Sequence, residues 1–277
     1  MKTIGLLISA KDTDQIWHPY IRAFKQAVTT QPVKYDQQPA GAGGGAGGID
    51  YDAAAKQFVH DKVDVIVTAG NLAALACKSA TNTIPIVVAS AGDLTGLAGG
   101  NLTGFTNGQE DQDILDQRIA RMLRILAPES AVAVVGNYTV APVKAAMDYA
   151  VGQDMGVPVY SAFFTQPTDF QDESTIQGKL NPPEGTPTAD VLPVCSDPLM
   201  RTYGTIFVRA AHDVNMKTMH EFAEWHGNHR GDLCYGPDFT TLFQNAAGYV
   251  DQILADTPIA ELPVIPVTLD DCVQTPP

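Results

Sequence analysis

Positive charge is scarce in this chain. Seventeen Lys and Arg stand against 31 Asp and Glu in 277 residues, a formal net charge of −14. That deficit removes the basic footprint that nucleic-acid binding requires, and an anionic membrane surface would repel the chain. The acidity itself serves solubility. Long apolar runs are lacking too: no segment reaches the roughly 18 residues that a spanning helix needs, so no direct membrane insertion is expected. The four cysteines, Cys77, Cys195, Cys234 and Cys272, form no CxxC pair, which argues against a metal knuckle. A chain of this length does not depend on disulfides for a core, so four reduced, mostly buried thiols are expected. There is no GxSxG, and nothing nominates a nucleophile, a base and an orienting acid together. The single His/Glu cluster is His220, Glu221, Glu224, His226 and His229. It lacks the second histidine of HExxH and reads as a solvated helix and loop, with no metal.

What is present is alternation. Apolar strands at 4–9, 33–35, 63–69, 84–89 and 102–104 are separated by helical spacing at 17–28, 52–60 and 71–80. The pattern restarts with helices at 113–126, 140–153 and 169–180 and one within 197–211, between strands at 131–135, 157–164 and 191–194. A last strand at 233–235 precedes a long helix at 240–254. Continuous apolar strands alternating with helices imply parallel sheets covered on both faces. Two such runs predict an α/β chain of two Rossmann-like lobes, 1–105 with 236–277 and 106–235. The segment from Met1 to Asp12 reads as a first strand, not a signal peptide. The chain is then either cytoplasmic or has lost a leader.

In open parallel sheets ligands sit outside the carboxyl ends of the strands. That rule selects Ser9, Ala10, Gly70, Asn71, Ser90 through Asp93, Asn137, Tyr138, Ser196 and Asp197. The helix beginning near Asn71, Leu72 and Ala73 would offer its amides to an anion, as would Ala91 and Gly92; the plain alternative is a turn capped by Asn71. Asp93 could bind an ammonium or cap a helix. Tyr138 offers a stacking face and Trp17 a cover, or else a surface turn and a core staple. Gly43, Gly45 and Gly48 fit GxGxxG, but 41–48 contains six glycines in eight positions and reads as a flexible linker. No cofactor is implied.

The match to a known family rests on several stretches together. They are Val63-Asp64-Val65-Ile66-Val67 with Ala73-Ala74-Leu75-Ala76, Ile84-Pro85-Ile86-Val87-Val88, Gly92-Asp93 with Gly99-Gly100-Asn101-Leu102-Thr103-Gly104, Tyr235-Gly236-Pro237-Asp238, and Leu262-Pro263-Val264. The chain resembles the substrate-binding proteins of ATP-driven (ABC) importers, in the branch that includes tryptophan and other aromatic amino-acid binders. Asn71-Leu72 replaces a Thr-Pro of that family, and Leu94 replaces a Pro. The resemblance implies a type I periplasmic-binding-protein fold with a three-crossover hinge; Tyr235, at one crossover, is a ligand-binding candidate with Trp17 and Tyr138 for a planar or apolar group, or else simply packs the hinge. It implies a monomer outside the cytoplasm that takes a small solute, often an amino acid, hands it to an ABC permease and catalyses nothing. The competing expectations are a cytoplasmic ligand sensor on the same fold and, from the 43–48 loop, a nucleotide-dependent enzyme.

Overall fold

The computed structural model describes residues 1–8, 17–37, 50–92, 94, 96–107, 112–195, 197–221 and 231–266. The chain divides into two compact units, Met1–Gly108 with Asp238–Thr268, and a second that begins with Gln109–Pro237. It passes from the first to the second at 108–109 and returns at 237–238. The expected third crossing and the glycine run at 41–48 are not covered by the described residues.

The first unit runs β1 (Lys2–Ile8), α1 (His18–Ala27), β2 (Val33–Gln37), α2 (Tyr51–Asp61), β3 (Val65–Ala69), α3 (Asn71–Ala80), β4 (Ile86–Ala91) and β5 (Leu102–Thr106). Its sheet has the order β2-β1-β3-β4-β5, and every pairing is parallel. β3 and β4 are buried at every position, as strands covered by helices on both faces must be. α2 and α3 close one face around Phe58, Ile66, Ala74 and Cys77. The second unit runs α4 (Gln112–Ile125), β6 (Val132–Gly136), α5 (Ala141–Val151), β7 (Val159–Phe163), α6 (Glu173–Leu180), β8 (Val191–Pro193), α7 (Pro198–Thr202), α8 (Gly204–His212), β9 (Lys217–His220) and β10 (Leu233–Cys234). Its parallel sheet has the order β10-β9-β8-β6-β7. α9 (Phe239–Leu254) returns to the first unit and packs along α1.

The expected architecture, two α/β units each built on a parallel sheet, holds. Two readings do not. β9 was not anticipated, and the His220–Glu221 pair is not solvated: His220 ends that strand at 1% exposure and Glu221 follows at 6%. Lys-Thr-Met-His has no apolar run to mark it as a strand, because its burial comes from neighbouring strands on both sides. The thiols also differ. Cys77 and Cys195 are free and buried, whereas Cys234 is disulfide-bonded. A disulfide needs two cysteines close in space, which separation along the chain does not report. Burial pushes the Cys77 thiol up to about 12, so it stays protonated and inert.

One glycine is required by the close approach of β4 and β5. Gly104 pairs with Val88 and has φ +144, and a Cβ there would lie 2.1 Å from the Val88 carbonyl oxygen. Gly104→Ala should destabilise the protein by about 2–4 kcal/mol, read as a lower urea midpoint at unchanged m-value. An unchanged midpoint would mean that the two strands can move apart at little cost.

Candidate functional site

Because all strands of a unit point one way, each unit gathers its post-strand loops on a single edge. On the first unit's edge the loops are tied to one another. The Gly92 amide donates to Asn71 Oδ1 at 2.8 Å, the Gly70 amide donates to the Ser90 carbonyl at 2.7 Å, and Asn107 donates its Nδ2 to Ser90 Oγ at 3.2 Å and its amide to the Ala91 carbonyl at 2.6 Å. The expected anion-holding amides are thus divided: that of Gly92 already serves Asn71. Nor does Asn71 cap the helix. Gly70 is the N-cap of α3, with φ 89 and no side-chain acceptor, whereas α2, α6, α7 and α9 are each capped by an aspartate. Leu72 is 67% exposed and Ala73 fully buried, so these neighbours face opposite environments. Ser9, Ala10 and Asp93 lie outside the described residues.

Trp17 stands in an aromatic cluster with Tyr20, Phe239 and Phe243, at ring-centroid distances of 6.0–6.3 Å. It joins the start of α1 to the start of α9. That geometry is the helix staple, worth roughly 0.5–1.5 kcal/mol per aromatic pair beyond burial.

On the second unit's edge Asn137, Tyr138 and Asp197 follow β6 and β8, and Tyr235 follows β10. Tyr138 packs on Phe163 at 4.7 Å. Its hydroxyl donates to Asp148 and accepts from Lys144, and Lys144 also pairs with Asp148. The hydroxyl foreseen for a ligand is held within the unit. The Tyr235 hydroxyl donates to Gln117 Oε1 at 3.3 Å and its amide to the His220 carbonyl at 2.9 Å. The next residue, Gly236, passes so close to Glu221 that a Cβ would sit 1.6 Å from its carbonyl oxygen. Ser196 lies outside the described residues.

Asp197 is the chemically distinctive residue of this edge. Its side chain caps α7, Oδ1 accepting the amides of Leu199 at 2.7 Å and Met200 at 3.2 Å. Its Oδ2 is buried and has no hydrogen-bond partner among the described residues. Burial raises the carboxyl to about 6, against the partial offset of the Leu199, Met200 and Asn137 amides. Asn137 is itself 2% exposed and turns its Oδ1 to the amide and hydroxyl of Thr139.

Two further buried charges were not foreseen. Arg118 Nη1 donates to Glu221 Oε1 at 2.8 Å, with side chains 9% and 8% exposed. The signal for Arg118 was legible: it shares the buried stripe of α4 with Leu115 and Met122, where an arginine is out of pattern. Glu221 lacked a comparable signal, since its burial depends on β9. No group of side chains that could hold a metal ion occurs among the described residues, and no helix there is long and apolar enough to cross a membrane.

Residues 43–171 match the family of ABC transporter substrate binding proteins. Solved structures share the fold over nearly the whole chain. A conserved domain protein from Vibrio cholerae is 20% identical, with 98% of this chain and 91% of that one covered at a TM-score of 0.74. An ABC domain from Streptococcus pneumoniae in complex with L-Trp is 15% identical, at 95% and 88% coverage and a TM-score of 0.72. An ABC transporter solute binding protein from Bacillus halodurans with bound myo-inositol is 16% identical, at 98% and 94% coverage and a TM-score of 0.67. The chain has the type I periplasmic-binding-protein fold. Among curated proteins, none matches the sequence.

Two predictions come from the buried charges. The folded pKa of Asp197 lies above its unfolded value, so this group adds stability below about pH 4 and loses it as pH rises through about 6. Asp197→Asn keeps a capping oxygen and should stabilise the ligand-free protein at pH 7 on the order of 2 kcal/mol, with the gain vanishing at pH 4. Urea unfolding at both pH values checks this, and an equal effect at both would rule out the ionised carboxyl as the cause. For the ion pair, Arg118→Met or Glu221→Leu alone should cost about 3–5 kcal/mol, while the two together should recover most of it. A double-mutant cycle with additive costs would show that the pair is not coupled.

Proposed function

We propose that this protein is the solute-binding component of an ABC importer, that its two units act as lobes closing on a small solute, and that the solute is an amino acid or related small carboxylate. The observation that carries the ligand class is Asp197. A desolvated carboxylate whose Oδ2 has no hydrogen-bond partner among the described residues, on the edge where solutes of this fold bind, favours a ligand bearing an ammonium group over a neutral polyol. The start of α3, which no side chain caps, suits the carboxylate end through the helix dipole. The family match over 43–171 supports delivery to a membrane permease and binding without catalysis. Cys234 supports residence outside the cytoplasm, because disulfides persist in oxidising compartments. The protein works as a monomer in this reading, without cofactor or metal.

A thermal-shift screen over the amino acids, small carboxylates and myo-inositol tests the reading. At 100 times its dissociation constant the solute adds about 2.7 kcal/mol of stability. We expect an amino acid to give this shift and Asp197→Asn to weaken it at least tenfold. Stabilisation by myo-inositol alone would overturn the ligand class, and no response to any small solute would overturn the function.

A further inference from the structure

A cavity of about 50 Å³ lies inside the second unit, under α4 and α5 and against the sheet. Leu115, Ile119, Val134 and Ala150 give it apolar walls, and Arg118 and Glu221 line it as well. Arg118 gives one hydrogen bond, from Nη1 to Glu221, while its buried Nε has no partner among the described residues. A guanidinium donor out of water without an acceptor is costly, so the cavity offers an unfilled donor in otherwise apolar surroundings. Glu221 already balances the charge of Arg118. A second carboxylate entering here would meet Glu221 across a few ångströms of low-dielectric space, whereas a neutral acceptor would not. The volume is about a third of the roughly 150 Å³ that accepts benzene, enough for a group of roughly two or three heavy atoms.

We propose that this cavity receives a short neutral group bearing an acceptor oxygen, a carbonyl or hydroxyl on one or two carbons, to which Arg118 Nε–H donates. Glu221 directly follows β9 and Cys195 lies just beyond β8, which sets the cavity beneath the carboxyl edge of its own sheet. The inference rests on the solute-binding reading only in taking that group as an arm of the solute. A lone water is the rival occupant.

The test uses the intact protein with 15N-labelled arginine. The Nε–H resonance of Arg118 is assigned by its loss in Arg118→Lys. Acetone and acetamide are the neutral probes and acetate the charged one. We expect a saturable displacement of that resonance by a neutral probe in the millimolar range, at least tenfold weaker binding of acetate, and loss of the effect in Ala150→Leu, which fills the space. The wild-type titration decides the matter even if Ala150→Leu does not fold. A resonance unmoved by both neutral probes, moved equally by acetate, or showing persistent water contacts that no probe displaces overturns the proposal. If an amino acid stabilises the protein while Arg118 stays silent, the solute reading stands and this inference fails. If Arg118 responds while no solute stabilises the protein, the cavity site stands and the solute reading fails.

Discussion

Parallel strand pairing is the constraint on which the rest of this structure depends. A parallel ladder needs a crossover after each strand, and here helices supply most of these and bury both faces of the sheets. The same directionality collects the loops after the strands on one edge of each unit. Position 197 is therefore near position 137 and position 71 near position 92 for topological reasons, before any side chain acts. The side chains then divide the labour. Asn71, Ser90 and Asn107 stitch one edge to itself, while on the other Asp197 caps α7 with Oδ1 and its Oδ2 has no partner among the described residues.

How much of this the sequence discloses differs by element. β6 is an unbroken apolar run and β3 is interrupted only by Thr68, and α3 is bounded by Gly70 before and Thr81 after, so their existence follows from pattern alone. The start of α7 is marked by Asp197-Pro198, an acceptor and a pre-set φ. β9 fails the same test. Thr218 and His220 are fully buried yet polar, and what buries them is the strands on either side. A pattern rule sees a residue's own polarity and not its neighbours in space.

The candidate site was legible as a set of positions and not as a set of roles. Counting to the ends of strands finds Asn137 and Asp197 without saying which one has an oxygen with no partner among the described residues. Tyr138 and Trp17 look available in the sequence, but Lys144, Asp148, Phe239 and Phe243 engage them. These partners lie from six to more than two hundred residues away, and no local reading weighs them. Arg118 could have been found, since one charged residue on an apolar helical stripe requires a partner; the identity of the partner could not.

The aspartates have a wider meaning. Asp50, Asp172 and Asp238 hold helix starts. Asp190 takes the amides of Glu129, Ser130 and Ala131, Asp251 those of Thr29 and Thr30, and Asp169 those of Thr165 and Gln166. Partial burial pushes the carboxyls of Asp169, Asp190 and Asp251 up, yet these amides and their neighbours outweigh it and keep all three below the usual carboxylate range. Much of the negative charge is thus fastening and not coating. An engineer who wished to recharge this protein for a cation column or an acidic partner would find part of its acidity closed to revision, because each of these aspartates exchanged for a neutral or basic residue releases a turn along with its charge.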